Sequence, residues 1–524
     1  MSKQTFLQGT LILIIAGLIT RVLGFINRIV VARFIGEEGV GLYMMAVPTL
    51  VLTITIVQLG LPVAISKLIA EAQAKGDRRK IKKILVVSLT TTGTLSLIFT
   101  PLMILLAPIL SETLFTDSRV YYPLLAISPI VPIVALSSVL RGYFQGRQNM
   151  RPAAISQVIE QVVRITLVAI FTKAFLPYGI EYAAAGAMIS AVIGELMSLL
   201  YMFWMFKTKK RVKVRTHFLK SVKAGKNTFN ELMSIALPTT GSRLIGSISW
   251  FFEPIVVVQS LAIAGVATTL ATRQYGELTG FAMPLLLLPS FITYSLATSL
   301  VPAISEAAAN KQTLLIEHRL QQALRLSLVT GGLAVVTLYV FAAPIMELMY
   351  GSSNAAIFVK VMAPFFIFYY FQGPLQATLQ AMDLAKAAMI NSFIGAAVKT
   401  AIIFILATRP ELGIMGAALA IVSGMMLVTL LHFSTVIKVI SYSFYIRDYV
   451  KSLITMIGSG IVGHYTFINL LVEASLAART LFAIGVTSVI YLVLLILFRL
   501  VKRDEVKRVP YIGARLSLLL PNKK

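Results

Sequence analysis

Thr20-Arg21-Val22-Leu23-Gly24-Phe25-Ile26-Asn27 recurs in the second half of the chain as Ser242-Arg243-Leu244-Ile245-Gly246-Ser247-Ile248-Ser249. Each copy places an arginine inside an apolar run, with a glycine three residues further on. Two more pairs keep the same order. Ala107-Pro108-Ile109 answers to Ala343-Pro344-Ile345. Gly186-Ala187, Val192, Gly194, Leu200 and Phe203 answer to Gly416-Ala417, Val422, Gly424, Leu430 and Phe433. An ordered repeat of this length reads as two duplicated lobes, a plan in which transporters place their sites between the copies.

The runs around these motifs are long enough to cross a hydrocarbon core of about 30 Å. They predict spans at residues 7–35, 42–69, 84–111, 120–143, 153–175, 182–205, 232–261, 278–303, 325–349, 357–381, 387–407, 413–437, 448–472 and 477–500. Backbone groups in lipid must pair within their own segment, so the spans are helices. The short alternating segments of a membrane β-barrel are absent. The fold class is therefore an all-α polytopic membrane protein with about fourteen transmembrane helices. It divides into two pseudo-symmetric six-helix lobes (residues 1–206 and 230–438) and two extra helices (439–503). A basic linker at 207–229 and a basic tail at 504–524 complete the chain. An even number of spans per lobe gives both copies the same orientation.

Composition agrees: 57% of the 524 residues are hydrophobic and 13% are charged, too few charges to cover a soluble surface. The net charge of +26 would suit nucleic acid in a soluble chain, but its distribution excludes that reading. Of the 47 Lys and Arg, 35 fall at the N-terminus, in alternate loops or the span ends beside them, or in the tail; six lie in the opposite loops or their adjoining span ends, and six elsewhere within spans. This asymmetry predicts a cell-membrane protein with both termini cytoplasmic. Residues 207–226 hold nine Lys or Arg and no acidic residue, which suits contact with anionic lipid. The N-terminal run lacks a cleavage site and is interrupted by Arg21 and Arg28, so it reads as a retained span.

The six cations within spans that are not counted with a flanking loop are Arg21, Arg28, Arg33, Arg164, Arg243 and Lys399. A cation at the centre of a membrane helix costs about 2.5–3.5 kcal/mol on insertion scales, so each needs water, a partner or an interface. Arg33, near a span end, snorkels. Arg21 and Arg28 are seven residues apart and share a helix face with Gly17 and Gly24. Glu160 and Arg164 stand four apart and can pair within their helix; contact with a ligand is the other reading. In the repeat register Arg21 falls on Arg243 and Arg164 falls on Lys399. Each lobe thus offers one cation from its first helix and one from its fifth. If those helices face a common axis, the cavity favours an anion, and guanidinium groups suit a diphosphate. Pairing of Arg243 with Glu253 is the competing account. Thr239, Arg243, Ser247 and Trp250 make a polar-aromatic face suited to a sugar or peptide headgroup, although a Trp at such a place also packs helices. The expected cavity set is Arg21, Arg28, Arg164, Arg243, Lys399, Glu160, Glu253 and Trp250.

No phosphate-binding G-x-x-x-x-G-K-[ST] loop, H-E-x-x-H metal motif or G-x-S-x-G elbow occurs. The chain has no cysteine and only four scattered histidines, so no cofactor, metal site or enzymatic activity is expected. Three readings follow: a flippase for an anionic lipid-linked substrate, an ion-coupled extruder of organic cations, and a membrane scaffold for cell-wall synthesis proteins. The extruder reading lacks a carboxylate in the first span before Glu37.

Several stretches resemble the stage V sporulation protein B family. They are Thr20–Phe25, Gly36-Glu37-Glu38-Gly39-Val40-Gly41-Leu42-Tyr43, Leu59-Gly60-Leu61-Pro62-Val63-Ala64-Ile65-Ser66-Lys67 and Arg141-Gly142-Tyr143-Phe144-Gln145-Gly146. Gly280-Phe281-Ala282-Met283-Pro284, Leu288-Pro289-Ser290 and Leu300-Val301-Pro302-Ala303-Ile304-Ser305-Glu306 extend it into the second lobe. The wider superfamily contains multidrug extruders and lipid II flippases. The resemblance implies alternating access around a central cavity, an undecaprenyl-linked cell-wall precursor as substrate, and a role in spore cortex peptidoglycan. It also implies that the two C-terminal helices form a groove for the lipid tail. The chain departs from the lipid II flippase pattern at Asn27, where that pattern has a second arginine. Basic residues of the pattern's second and eighth spans are also replaced, near Val51 and Pro284.

Overall fold

The computed structural model describes residues 6–209, 225–440, 442–443 and 446–501. Most of the linker and all of the 504–524 tail expected from the sequence lie outside the described residues. The described chain consists of helices and short helical turns, with no strand. In order they are α1 (Phe6–Gln58), α2 (Leu61–Ala74), α3 (Arg78–Ile109), α4 (Tyr121–Ile127), α5 (Ile130–Gly146), α6 (Arg151–Phe175), α7 (Ile180–Lys209), α8 (Lys226–Ile263) and α9 (Thr268–Gly276). Then come α10 (Met283–Leu287), α11 (Ser290–Ala309), α12 (Thr313–Val340), α13 (Ala342–Tyr350), α14 (Ala356–Met362) and α15 (Phe366–Ala381). The last four are α16 (Ala385–Ala407), α17 (Gly413–Ile437), α18 (Ile446–Asn469) and α19 (Leu476–Leu497).

A helix as long as α1 would measure about 80 Å if straight, far more than the bilayer core. Gly36 breaks it, with φ 64° and ψ −171°, a backbone conformation that side chains oppose. Pro48, Pro101, Pro108, Pro238 and Pro254 lie inside long helices, where each removes a ladder hydrogen bond.

By length and apolarity, 11 helical stretches among the described residues can cross a membrane, or 12 if the pair 268–287 and 290–309, bent by 53°, is one span. That count falls short of the fourteen expected. One reason is that Ala16–Ala74 enters as a single 59-residue stretch, although Gly36 interrupts it. Another is that α18, where a thirteenth span was expected, is diluted by Ser452, Thr455, Ser459 and His464.

The chain packs as two units. Residues 1–280 with 403–414 form the first; residues 281–402 with 415–524 form the second. In the first unit α8 is tied to the earlier helices along its length. Lys80 pairs with Glu231 at 2.8 Å, Thr55 and Ser247 share a hydroxyl hydrogen bond at 2.9 Å, and Gln259 donates to the Thr113 carbonyl at 2.8 Å. The second unit has a different core. Tyr370 donates to the Leu286 carbonyl, Tyr491 donates to that of Val329, and α18 and α19 pack on each other and on α12.

Candidate functional site

Arg21 and Arg28 on α1 and Arg243 on α8 are exposed from their helices in the first unit. Arg28 and Arg243 make no ion pair with any described residue; in particular Arg243 does not pair with Glu253. Trp250 and Glu253, further along α8, are half-buried. Asn27 is buried, and its side-chain oxygen has no partner among the described residues.

The helix pair α6–α7 holds a charged cluster. Arg164 pairs with Glu160 at 3.0 Å, so the intrahelical pairing allowed by their spacing is present. Glu160 also lies 3.9 Å from Arg141, which pairs with Glu195 at 3.0 Å. Two guanidinium groups and two carboxylates thus form one network. It is incompletely satisfied, because Arg141 Nε, Arg164 Nε, Gln161 Oε1 and Ser198 Oγ are buried with no hydrogen-bond partner among the described residues. Such groups inside a membrane protein mark places where water or a polar ligand is accommodated.

Arg141 lies near the end of the span expected at 120–143 and is not among the expected cavity residues, but it sits on α5, more than a turn before that helix ends at Gly146. A signal for it existed: Glu195 is a carboxylate in mid-span, and a buried carboxylate demands a cation.

The repeat register reappears in the packing. A Cβ at Gly194 would lie 2.8 Å from the carbonyl oxygen of Glu160 and 3.3 Å from Arg164 Cβ. A Cβ at Gly424 would lie 2.7 Å from Lys399 Cβ. In each unit, glycine of the sixth repeat helix makes room for the cation of the fifth. Lys399 belongs to the second unit and is half-buried.

A second charged cluster flanks the Gly36 break. Arg273 binds Glu37 at 2.7 Å and Glu277 at 3.2 Å. Arg119 pairs with Glu38 and Asp117, and Thr272 donates to Asp117 at 2.7 Å. Burial acts to raise the Asp117 carboxyl, but hydrogen bonds from Arg119 and Thr272 and the arginine's charge outweigh it, leaving it below 3.8. Glycines allow this close fit: a Cβ at Gly41 would overlap the Thr272 carbonyl oxygen, and one at Gly276 would overlap that of Glu37.

In the second unit, α12, α15, α17 and α18 enclose an apolar groove of about 1100 Å³, lined by residues such as Val336, Tyr339, Phe368, Phe433, Leu453 and Ile461. A smaller polar pocket of about 220 Å³ adjoins it, with His318, Gln321, Arg325, Tyr442 and Asp448 in its walls. Leu328 and Tyr449 line both.

Residues 6–308 match the family described as polysaccharide biosynthesis protein, and residues 278–405 match the MatE family. Stage V sporulation protein B of Bacillus subtilis (strain 168) is 65% identical over 98% of this chain and 99% of its own length. The chain belongs to the polysaccharide biosynthesis protein family, in its stage V sporulation protein B branch. Lipid II flippase MurJ of the same organism is 25% identical, covering 76% of each chain. A solved lipid II flippase MurJ in an inward closed conformation superposes with a TM-score of 0.71 at 17% identity, covering 93% of this chain and 98% of that one. The protein is accordingly a multi-pass membrane protein that shares the fold of the solved lipid II flippase.

Proposed function

We propose that the protein is a flippase for an undecaprenyl-diphosphate-linked cell-wall precursor and supports synthesis of spore cortex peptidoglycan. The observation that carries this reading is the repeated pair Arg21 and Arg243. Both guanidinium groups lie on apolar helices and are exposed from them, a costly arrangement in lipid that an anionic ligand relieves. Arg28 and Arg164 add positive charge, and Arg guanidinium groups bind phosphate oxygens in pairs. Arg141 joins this set through its network with Glu160 and Glu195. Trp250 and Glu253 offer a stacking surface and an acceptor for a sugar or peptide headgroup.

The headgroup would enter from the cytoplasmic side, the side on which the positive-inside rule expects the basic loops. The repeat lobes 1–206 and 230–438 would then rock to expose it outside. The prenyl chain would stay in lipid, guided by the groove beside α18. Membrane potential acting on moving charge is the energy source that requires no ATP site.

The test is reconstitution with undecaprenyl-diphosphate substrates and an assay of headgroup accessibility. Arg21→Ala and Arg243→Ala should abolish translocation while the protein still inserts and accumulates. If both variants translocate normally and complement a deletion, the proposal is wrong and a scaffold role gains. The match of residues 278–405 to the MatE family favours a second reading, an ion-coupled extruder; it requires resistance to organic cations in a drug assay.

A further inference from the structure

The charged cluster beside the Gly36 break is short of positive charge. Arg273 Nε carries a single hydrogen, yet it donates to Glu37 at 2.7 Å and to Glu277 at 3.2 Å. Arg273 Nη2 also meets Glu37, at 2.7 Å. The Glu37 and Glu277 side chains are 10% and 11% exposed, whereas that of Arg273 is 46% exposed. The two carboxyl groups lie within hydrogen-bonding reach of each other. When both are ionised, one half-exposed guanidinium faces two buried negative charges, and like charges at this range repel.

The neighbours do not make up the difference. Arg119 is shared between Glu38 and Asp117. The other charges on the first unit's elements at this end are Arg33, Lys173 and Arg409 against Glu112, Glu181, Glu253 and Glu411. Tyr43 and Tyr275 are the titratable hydroxyls close to the pair in sequence. Carboxylates outnumber cations here.

Position gives the pair its leverage. Glu37 follows the break in α1, while Arg273 lies on α9 and Glu277 opens the π-helical turn Glu277–Ala282. Glu37 and Glu277 therefore oppose each other across the seam where Gly41 meets the Thr272 carbonyl and Gly276 meets that of Glu37. A proton on Glu277 turns repulsion into attraction. The carboxyl O–H then donates to Glu37 across the seam, and Arg273 keeps its ion pair with Glu37. Loss of the proton sets the two carboxylates against each other again.

We propose that Glu37, Arg273 and Glu277 form a pH switch: the protonated pair seats α1 against α9, and release of the proton lets them part. Seating and proton uptake favour each other, as linked equilibria must. The stabilisation is present in mild acid and is lost as pH rises. By the distribution of basic loops, the switch stands at the end away from the cytoplasm. It does not depend on which substrate the protein carries.

The chain has no cysteine, so spin labels can be placed at Tyr178→Cys and Thr269→Cys in the full-length protein in nanodiscs. Both positions are exposed. Tyr178 is two residues from Ile180, which packs at Gly39 of α1, and Thr269 lies on α9. Pulsed electron paramagnetic resonance reads their separation. The short distance should dominate in mild acid. A longer one should grow reversibly towards mild alkali, with the population ratio changing by up to about tenfold per pH unit, the most that one proton allows. Glu277→Gln, whose amide can donate to Glu37 as the protonated acid does, should hold the short distance throughout. Glu277→Ala has neither charge nor donor and should give a distribution that ignores pH. Glu37→Gln removes the ion pair across the seam and should favour the longer distance even in acid. A parent protein that ignores pH or parts in acid overturns the proposal, as does a pH response that survives in either Glu277 variant.

Discussion

The contact between fifth and sixth repeat helices is built twice, and the two versions differ in charge rather than in shape. In the first unit Gly194 packs on α6 beside Arg164, which stands in a network with Glu160, Arg141 and Glu195. In the second unit Gly424 packs against Lys399, and neither α16 nor α17 carries an acidic residue. Duplication preserved the close helix approach, which small residues permit, while the electrostatic surroundings diverged. The first copy balances its cations locally; the second adds a cation without a carboxylate on its own two helices.

The largest effect that probes this difference is expected at Glu195. Glu195→Leu leaves the Arg141 guanidinium without its closest carboxylate and should cost about 3 kcal/mol, as removal of one partner of a buried pair does. The loss should appear as a lower Tm of the purified protein. Adding Arg141→Leu should restore most of it, because replacing both charges with apolar groups is often near neutral. Lys399→Met should lower Tm less, since it strands no carboxylate on α16 or α17. Equal losses at Glu195 and Lys399 would erase the contrast.

Next in size are the glycines. Gly194→Val and Gly424→Val should each cost about 1–3 kcal/mol through overpacking, measured by the same thermal unfolding. Gly194 should be the worse, since its added carbon meets a backbone oxygen that cannot rotate away, whereas that of Gly424 meets the Lys399 side chain. The reverse order would mean that α16 and α17 are the more rigid pair.

Smaller still is Ser247→Ala, which removes the hydroxyl link to Thr55 and should cost about 1 kcal/mol. The smallest concerns Asp117, outside the apolar spans. Its folded value lies below the ordinary 3.8, so its contribution is complete above that pH and is lost as pH falls through the folded value. Asp117→Asn should therefore lower Tm near neutral pH, with the gap to the parent protein closing in strong acid. A gap that widens in acid would mean that the folded value is raised rather than lowered.

Much of the helical framework was readable from apolar runs, because a lipid solvent leaves the backbone few alternatives. The register of the repeat was readable too, and the pairing of Gly194 with Arg164 and of Gly424 with Lys399 follows it. Contacts across long sequence distances were not readable. Nothing local to Arg273 announces that its partner is Glu37, and nothing local to Arg141 announces Glu195. The grouping of α8 with the first unit was likewise hidden, since it depends on Lys80–Glu231, Thr55–Ser247 and Gln259–Thr113. For the arginines of α1 and α8 the sequence supplied the residues and their cost in lipid; their role in binding remains the proposal made above.

The seam between residues 37–41 and 272–276 constrains how this part of the protein can move. Gly41 and Gly276 bring two stretches of main chain so near that hydrogen alone fits between them, and Arg273 and Thr272 fasten the edges. A gap of about 0.5–1 Å would forfeit a quarter to a half of each dispersion contact there, so any movement that parts these two stretches must also break the ion pairs beside them.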